Sequence, residues 1–234
     1  MKYLVFSILL FTSCSTILVK KDNMQVEDYQ ILLTFDDGPN LRNNTTLNLL
    51  SVLKKYNVKA AFCLVGKEIE KAPELTRLIY DEGHLIVNHS YSHSIPLTER
   101  VLEKEIIKFN EVLIKATGKS DLKVKFFRPP MGIVPFFMEG KLKKMKMELF
   151  QVSIFEFDTE YSPKNYHHLF KNIIKSVEKN RGGVIVLHDN LQGYYATESD
   201  YTNMTKNVNR SFIPKLTEEI IVYFLERGYN FIEP

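Results

Sequence analysis

Two adjacent carboxylates, Asp36 and Asp37, end an apolar run in the stretch ILLTFDDGPN, where a Gly-Pro turn follows them. Their side chains can point in different directions, so that one binds a cation while the other stays free to move a proton. A short apolar run that ends in turn residues is typical of a buried strand whose exit loop carries functional groups. The stretch therefore predicts metal and acid–base chemistry at the end of a strand.

Two histidines, His89 and His93, are four residues apart in NHSYSHS. This spacing puts both imidazoles on one helical face, or at the two ends of a tight turn, where both can reach one ion. With Asp37 they form a set of two histidines and one carboxylate, which is common in catalytic metal sites that leave positions open for water and substrate. Zinc fits this set best, and Co²⁺, Ni²⁺, Fe²⁺ and Mn²⁺ are the other divalent ions that it could hold.

Three further side chains could complete a hydrolytic site. Asp36 neighbours a metal ligand and could act as the base that takes a proton from the attacking water. Arg128 begins the rigid loop Arg128-Pro129-Pro130 and could orient Asp36 by a charge-assisted hydrogen bond that lowers its pKa. His188 follows the apolar run VIVL and has the character of a general acid that protonates a leaving group.

The elements that must position these residues alternate between two patterns. Short apolar runs predict strands over residues 31–35, 58–65, 84–87, 124–127, 149–157, 184–187 and 229–234. Apolar positions at helical spacing predict helices over residues 43–56, 73–82, 98–117, 166–179 and 213–227. This alternation implies a parallel sheet covered by helices, either open or closed into a barrel. Each candidate site residue follows the carboxyl end of a predicted strand, where such folds gather their active sites.

Length and composition narrow the class of protein. A chain of 234 residues without internal repeats is long enough for one domain with a full core. The 31 Lys and Arg nearly balance the 28 Asp and Glu, so no basic field indicates nucleic acid as a partner. No protein partner is evident either. The chain has 16 Phe and 12 Tyr but no Trp, so any ring that stacks on a sugar must be one of those two types.

The N-terminus has the layout of an export signal, with an apolar run over residues 3–11 that is too short to span a bilayer. Cys14 follows Thr12-Ser13, as in bacterial lipoprotein signals, whereas Phe11 stands where such signals usually have Leu. A plain cleaved signal and a free N-terminus are the alternatives. We expect an exported protein, anchored to a membrane by a lipid on Cys14 and facing the periplasm or the cell exterior. The expected segments are a signal over residues 1–13, a tether over 14–28 and one catalytic domain over 29–234.

Other polar features are expected to be structural. Cys63 lies in the apolar AAFCLVG and is predicted to be a buried thiol without a disulfide partner. His84 begins a strand and is predicted to be a structural hydrogen-bonding residue, while His167 and His168 open a helix and should be exposed. The polar stretch 191–210 is too long for an idle connection and could form a flap beside the site.

Four motifs, TFDDGPN, NHSYSHS, FRPPMG and VIVLHD, resemble in this order the signature motifs of the polysaccharide deacetylase family, the chitooligosaccharide deacetylase homology domain of carbohydrate esterases. The resemblance runs from about Leu33 to the end of the chain. It implies a distorted parallel (β/α) barrel of the polysaccharide deacetylase type, a divalent metal, and hydrolysis of N-acetyl or O-acetyl groups on a glycan.

Residue by residue, the resemblance implies that Asp36 is the catalytic base, Arg128 its orienting partner and His188 the catalytic acid. It implies that Asp37 and the two histidines of NHSYSHS are the metal ligands. It also implies that the backbone N–H of Met131 stabilises the oxyanion of the tetrahedral intermediate. The family usually has an aromatic ring at the position of Met131, but a backbone donor does not depend on the side chain.

The family's fourth motif lies between FRPPMG and VIVLHD, and there this chain departs from the family. Where the family tends to have an aspartate followed by tryptophan, this chain reads FEFDTEYS. Either Asp158 or Glu160 could pair with His188 and tune it, and Tyr161 could replace the missing ring. Val186 stands where Leu is common in the pocket wall. The residues expected to line the substrate pocket are Pro129, Tyr161 and Val186.

The main hypothesis is a metal-dependent hydrolase that removes acetyl groups, above all the N-acetyl group of N-acetylglucosamine units, from a cell-envelope or extracellular polysaccharide. The alternative is a glycan-binding lipoprotein that keeps the fold and the metal but turns over weakly or not at all, and it would retain glycan without releasing acetate. A third possibility is a non-haem iron oxygenase, which uses the same ligand set but needs an oxidisable iron. The order of the motifs and the Arg128-Pro129-Pro130 loop favour the hydrolase.

Overall fold

The structure of the protein is a computed structural model that describes residues 26–191 and 198–234. The expected signal, Cys14 and most of the tether lie outside these ranges. None of the helices in the described ranges is both long and apolar enough to span a lipid bilayer. Val26 already packs against a core cluster of the domain.

Within the described ranges, seven strands form one sheet in which every pairing is parallel. In chain order they are β1 (Gln30–Asp36), β2 (Ala61–Leu64), β3 (Leu85–Asn88), β4 (Phe126–Phe127), β5 (Glu148–Leu149), β6 (Gly182–His188) and β7 (Asn230–Phe231). The spatial order is β5-β4-β3-β2-β1-β6, and β7 pairs with the beginning of β1. The predicted α/β class with a parallel sheet is confirmed.

Helices connect these strands in the described ranges. They are α1 (Thr45–Lys55), α2 (Gly66–Lys71), α3 (Pro73–Asp81), α4 (Glu99–Thr117), α5 (Met138–Lys144), α6 (Tyr166–Asn180), α7 (Glu198–Thr202) and α8 (Ile213–Leu225), with 3-10 turns at Arg42–Asn44, Pro130–Gly132 and Asp158–Glu160. The first predicted helix begins two residues late, because Asn43 and Asn44 adopt left-handed conformations (φ 53° and 51°). The start of α4 is close to prediction, since Thr98 accepts a hydrogen bond from the Val101 N–H as its N-cap.

The sheet curls so that its two edges approach each other. An isolated parallel bridge joins Ile154 to Ile185 of the edge strand β6, and residues 150–153 connect β5 to this bridge. The single strand predicted over residues 149–157 is therefore wrong. This segment crosses from one edge of the sheet to the other, so it can pair with each edge only briefly.

Alternate residues of β1 face opposite sides of the sheet. Ile31, Leu33 and Phe35 belong to the larger core cluster, which lies under the helices. Leu32 faces the interior of the curled sheet with a smaller cluster made of Ala61, Cys63, Val87, Phe150 and Val184. Asp36 lies on the same side of β1 as Leu32, so its carboxylate is placed where this interior ends at the carboxyl end of the strand.

The residues expected to be structural are placed as predicted. Cys63 is a buried free thiol, and the exposed pair His167 and His168 opens α6. His84 is buried, and its Nδ1 accepts a hydrogen bond from the Ala60 N–H (3.2 Å). Burial lowers the pKa of His84 to about 4, so it is neutral in the folded protein.

Candidate active site

Backbone hydrogen bonds fix the residues that follow strands β1, β3 and β4. Each of these residues is the first after its strand, and its N–H donates to a carbonyl of the adjacent strand: Asp37 to Cys63 (3.1 Å), His89 to Leu64 (3.0 Å) and Arg128 to Asn88 (2.9 Å). His188 is the last residue of β6 and lies opposite Asp36 in the register of β1 and β6. The sheet therefore brings the predicted residues together at the carboxyl ends of its strands.

The two neighbouring carboxylates diverge because Asp37 has a left-handed backbone conformation (φ 73°). Asp36 Oδ1 reaches Arg128, whereas Asp37 Oδ1 is the carboxylate oxygen nearest to His89 Nε2 and also reaches His93. The turn thus separates the two carboxylates, as the sequence suggested that it could.

The histidines lie on a tight turn rather than on a helix. Ser90 and His93 have positive φ angles (64° and 59°). Side chains hold the turn, since the Ser90 N–H donates to Asn88 Oδ1 (2.8 Å) and the His93 N–H donates to Ser90 Oγ (2.9 Å). Of the two arrangements that a four-residue spacing allows, the structure has the tight turn.

Three donor atoms converge at this turn. Asp37 Oδ1 lies 3.4 Å from His89 Nε2 and 3.1 Å from His93 Nε2, and one ligand atom of each residue lies within 4.8 Å of the others. A tetrahedral ion with bonds of about 2.0–2.1 Å separates its ligand atoms by about 3.3 Å. The spacing of these three residues therefore fits a small divalent cation.

The chemistry of the three donors also fits a cation. His89 Nδ1 lies 2.7 Å from the Arg128 carbonyl oxygen, which can only accept, so Nδ1 carries a hydrogen and Nε2 is the ring nitrogen that faces Asp37 and is available to a cation. Burial alone would raise the pKa of Asp37, but the imidazoles of His89 and His93 and the charge of His188 hold it well below its usual value. Asp37 is therefore anionic, which suits a cation ligand.

Asp36 is held by a buried guanidinium. Arg128 Nη1 donates to Asp36 Oδ1 (2.5 Å) and to Thr34 Oγ1 (2.8 Å), and its Nη2 donates to the Gln151 carbonyl oxygen (3.3 Å). The guanidinium also stacks over the Phe150 ring at 4.9 Å. Burial disfavours its charge, but Asp36 raises the pKa of Arg128 above its ordinary value, so the guanidinium stays charged.

His188 is paired with Asp158 and not with Glu160. His188 Nδ1 lies 2.7 Å from Asp158 Oδ1, and the His188 N–H donates to Asp158 Oδ2 (2.8 Å). Glu160 is exposed. Burial alone would lower the pKa of His188, but Asp158 raises it to about 9. His188 is therefore protonated at neutral pH, as a general acid must be.

The expected pocket residues have different surroundings. Pro129 is buried, and Val186 lies in β6 with its side chain buried. Tyr161 packs against the larger core cluster, and its hydroxyl accepts a hydrogen bond from Asn172 Nδ2 of α6 (3.2 Å). Met131 has a left-handed backbone (φ 56°) and a side chain that is 68% exposed.

The exposed rings of the divergent fourth motif are Phe155 and Phe157. Their ring centroids lie 4.6 Å apart in an edge-to-face arrangement, and the side chains are 44% and 57% exposed. Phe157 immediately precedes Asp158 and has a left-handed backbone (φ 47°). Tyr161 was the ring expected to replace the missing tryptophan, whereas these two phenylalanines are the rings that this segment leaves open to solvent.

Sequence reasoning missed two buried residues. Arg210 lies at the end of the predicted flap, and its Nη2 donates a hydrogen bond to Asp158 Oδ2. Residues 192–197 of the predicted flap lie outside the described ranges. Asp189 follows His188 in the motif VIVLHD and accepts a hydrogen bond from the Thr46 hydroxyl. Burial raises the pKa of Asp189 to about 7. The HD dipeptide was the signal that could have identified Asp189.

Asp189 explains why glycine follows the two carboxylates. A Cβ atom at Gly38 would lie 2.6 Å from Asp189 Oδ1 and 2.7 Å from Oδ2. Asn40 ties the same loop to Asp189, because its Nδ2 donates to the Asp189 carbonyl oxygen (2.7 Å). Neither the loop nor the carboxyl group can move aside freely.

We therefore expect Gly38→Ala to lower the free energy of unfolding by about 1–3 kcal/mol, the usual effect of overpacking. Urea unfolding measures this change. Gly140→Ala is the matched control, because a Cβ atom there meets nothing within 4 Å and Gly140 lies in α5. The control should be neutral or stabilising by up to about 1 kcal/mol. Equal effects of the two substitutions would contradict the proposed clash.

The sequence is similar to known proteins. The sequence matches the family model for polysaccharide deacetylase over residues 23–150. It is 39% identical to a peptidoglycan-N-acetylglucosamine deacetylase of Bacillus cereus over 132 residues, which are 56% of this chain and 45% of the relative. It is 30% identical to a peptidoglycan-N-acetylmuramic acid deacetylase of Bacillus subtilis over 161 residues, which are 68% of this chain and 59% of the relative.

The fold also matches a solved structure. The crystal structure of a peptidoglycan N-acetylglucosamine deacetylase in complex with 4-naphthalen-1-yl-N-oxidanyl-benzamide superposes with a TM-score of 0.68 and 28% identity, covering 88% of this chain and 86% of that one. In the sequence comparisons, by contrast, the chain spans only about half the length of the curated relatives it matches.

Proposed function

Because this chain belongs to the polysaccharide deacetylase family, we propose that it is a metal-dependent hydrolase that removes acetyl groups from a polysaccharide of the cell envelope or cell exterior. The observation that carries the proposal is the arrangement at the strand ends. On one side, Asp36 is next to Asp37, which forms the candidate cation site with His89 and His93. On the other side, Asp36 is paired in register with His188 of the neighbouring strand β6. A base, a cation site and an acid thus share one edge of the sheet.

The cation site supplies the electrophilic part of the reaction. A divalent cation held by Asp37, His89 and His93 would polarise the acetyl carbonyl and make the attacking water more acidic. Zinc suits two imidazoles and one carboxylate, and Co²⁺, Ni²⁺, Fe²⁺ and Mn²⁺ are the other candidates. The Arg128 carbonyl oxygen orients the His89 ring for this task.

The protein side chains move the protons. Asp36, fixed by Arg128, takes a proton from water as the water oxygen bonds to the acetyl carbon. The backbone N–H of Met131 is our candidate donor to the resulting oxyanion. His188 then gives its proton to the sugar nitrogen as the carbon–nitrogen bond breaks, which releases a free amino sugar and acetic acid, and the acid loses its remaining proton to solvent to give acetate. Solvent afterwards removes the proton from Asp36 and restores the one on His188.

The N-acetyl group of N-acetylglucosamine units is our preferred substrate. The relatives support this choice, since the proteins from both Bacillus species are named for N-acetylated sugars of peptidoglycan. A protein that acts on this polymer must reach the cell envelope, which agrees with an export signal over residues 1–13 and a lipid anchor at Cys14. Both segments remain proposals.

The structure does not favour the glycan-binding alternative. That alternative was based on the divergent fourth motif, yet Asp158 of this motif still pairs with His188. The oxygenase alternative shares only the ligand set and does not account for Asp36, Arg128 and His188 around it.

Acetate release tests the proposal directly. We would incubate the full metal-loaded chain with chitooligosaccharides, peptidoglycan fragments and acetylated xylan, before and after chelation and after the addition of zinc. We expect release from the N-acetylated substrates that is lost on chelation and returns with zinc. Glycan binding without acetate release, with metal bound and the fold intact, would favour the binding protein instead.

The Asp158–His188 pair predicts a pH effect. His188 must be protonated to act, and Asp158 raises its pKa from 6.5 to about 9, so activity should fall only as pH rises through the raised value. In Asp158→Asn the pKa should move back toward 6.5, and the alkaline limb of the kcat profile should move to lower pH.

Glu160→Gln is the matched control for this pH effect, because the exposed Glu160 should leave the profile unchanged. The pairing of His188 with Asp158 would be contradicted if the alkaline limb of the kcat profile moved to lower pH in Glu160→Gln. It would also be contradicted if that limb did not move in Asp158→Asn. Metal content and an unfolding curve for both variants show that the fold is intact.

A further inference from the structure

Arg210 is a buried cation that joins both residues of the acid pair. Its side chain is fully buried and lies just before α8. Its Nη2 donates to Asp158 Oδ2, and its Nη1 donates to the Asp158 carbonyl oxygen (3.0 Å). Its Nε donates to the His188 carbonyl oxygen (2.9 Å). A single guanidinium therefore holds the 3-10 turn at Asp158–Glu160 against the end of β6.

Asp158 consequently has two cationic partners. Its Oδ1 faces the His188 ring, while its Oδ2 accepts from Arg210 and from the His188 N–H. A guanidinium keeps its charge at every pH that a folded protein tolerates. The His188 ring is charged only until it donates its proton. One carboxylate oxygen of Asp158 therefore always faces the positive charge of Arg210, and the other faces a positive charge only while His188 is protonated.

Starting from the proposed function, in which His188 protonates the leaving amine, we propose that Arg210 is a positioning residue that keeps Asp158 ionised and in place after His188 has lost its proton. Without Arg210, donation of that proton would leave a buried carboxylate with no countercharge, which is strongly unfavourable. With Arg210, the charge of Asp158 is balanced before and after the transfer.

The same geometry predicts how Arg210 affects the acidity of His188. The carboxylates that act on His188 are Asp158 from the 3-10 turn and Asp36 and Asp37 from the end of β1. Arg210 competes with His188 for the charge of Asp158. If the Arg210 charge is removed, Asp158 should hold the imidazolium more strongly, and His188 should become a weaker acid.

A purely structural role is the competing explanation. Arg210 Nη1 also reaches the carbonyl oxygens of Asn207 (3.3 Å) and Tyr161 (3.5 Å), and the guanidinium stacks over Phe212 at 4.8 Å. These contacts could simply fasten the segment before α8. If that were all, loss of Arg210 would loosen Asp158 and move the pKa of His188 down, as Asp158→Asn does.

The test compares Arg210→Met and Arg210→Lys in the full metal-loaded chain, with kcat and KM for acetate release and the pKa of His188 from ¹⁵N NMR of the imidazole. In Arg210→Met we expect kcat to fall by about 10- to 100-fold with KM unchanged, and the pKa of His188 to rise. Arg210→Lys keeps the charge, so the pKa should stay near that of the natural protein and kcat should recover in part.

Two further variants complete the design. Arg227→Met is the matched control, because Arg227 also stacks on a ring, that of Tyr223 (3.5 Å), and donates to a carbonyl oxygen (2.9 Å) away from the site. Arg227→Met should change neither kcat nor the pKa of His188. In the Asp158→Asn background, Arg210→Met should cost little further kcat, because no carboxylate remains to be balanced.

Three results would each overturn the proposal. The first is a fall in the pKa of His188 in Arg210→Met, and the second is an equal effect of Arg210→Met and Arg210→Lys on kcat and on this pKa. The third is a loss of kcat from Arg210→Met that is as large in the Asp158→Asn background as in the natural protein. If Arg210→Met fails to fold, Arg210→Lys and the double variant, which removes both charges, carry the comparison. Failure of the proposed function is a separate result. It would appear as no acetate release by the natural protein, whereas the pKa of His188 can be measured without turnover.

Discussion

Asp36→Asn is expected to lower acetate release by about 100- to 10,000-fold while the metal content stays unchanged. The asparagine oxygen can still accept the Arg128 hydrogen bond, so the site keeps its shape, but an amide cannot take a proton from water. The metal should remain, because the candidate ligand atoms belong to Asp37, His89 and His93 and Asp36 is not among them. Acetate assays beside elemental analysis of the purified variant measure both quantities.

The control for this variant is Asp81→Asn, which makes the same chemical change on an exposed residue of α3 that pairs with Arg77. We expect it to leave both readouts unaltered. If Asp36→Asn retained most of the activity, Asp36 would not be the base. If it lost the metal as well, its role would be ligation or folding.

The convergence of the candidate cation ligands could be predicted from sequence for a simple physical reason. Parallel strands end at the same edge of a sheet, so polar residues that follow several strands must converge there. Asp37, His89 and Arg128 each follow their strand directly, and no long-range information is needed to place them. The spacing of His89 and His93 was less informative, because it suits a helix as well as the turn that the structure has.

The partner of His188 could not be chosen from sequence. Asp158 and Glu160 are two residues apart, and a 3-10 turn that follows the left-handed Phe157 decides which of them faces the histidine. A left-handed phenylalanine is not predictable from its type, because the surrounding structure imposes that conformation.

Arg210 was invisible to sequence reasoning for a different reason. It stands in a long polar stretch, where an arginine is usually solvated. Its partner Asp158 is 52 residues away in sequence, so only the fold brings the two charges together. Buried ion pairs of this kind connect distant segments and leave no local pattern.

His188→Ala is expected to lower acetate release from N-acetylated glycans by about 100- to 10,000-fold, because an amine cannot leave as an anion and must receive a proton as the bond breaks. The cation site is untouched, so metal content should not change. His168→Ala is the matched control, since His168 is exposed at the start of α6 and should have no effect.

A change of leaving group separates the acid from the base. Nitrophenolate departs from p-nitrophenyl acetate without a proton, so His188→Ala should lose far less activity on this ester than on an N-acetylated sugar. Asp36→Asn should lose activity on both, because water must be deprotonated whatever group leaves. Equal losses of His188→Ala on the two substrates would show that His188 shapes the site or binds substrate rather than donating the proton. The ratio of the two losses therefore measures the part of the rate that depends on protonation by His188.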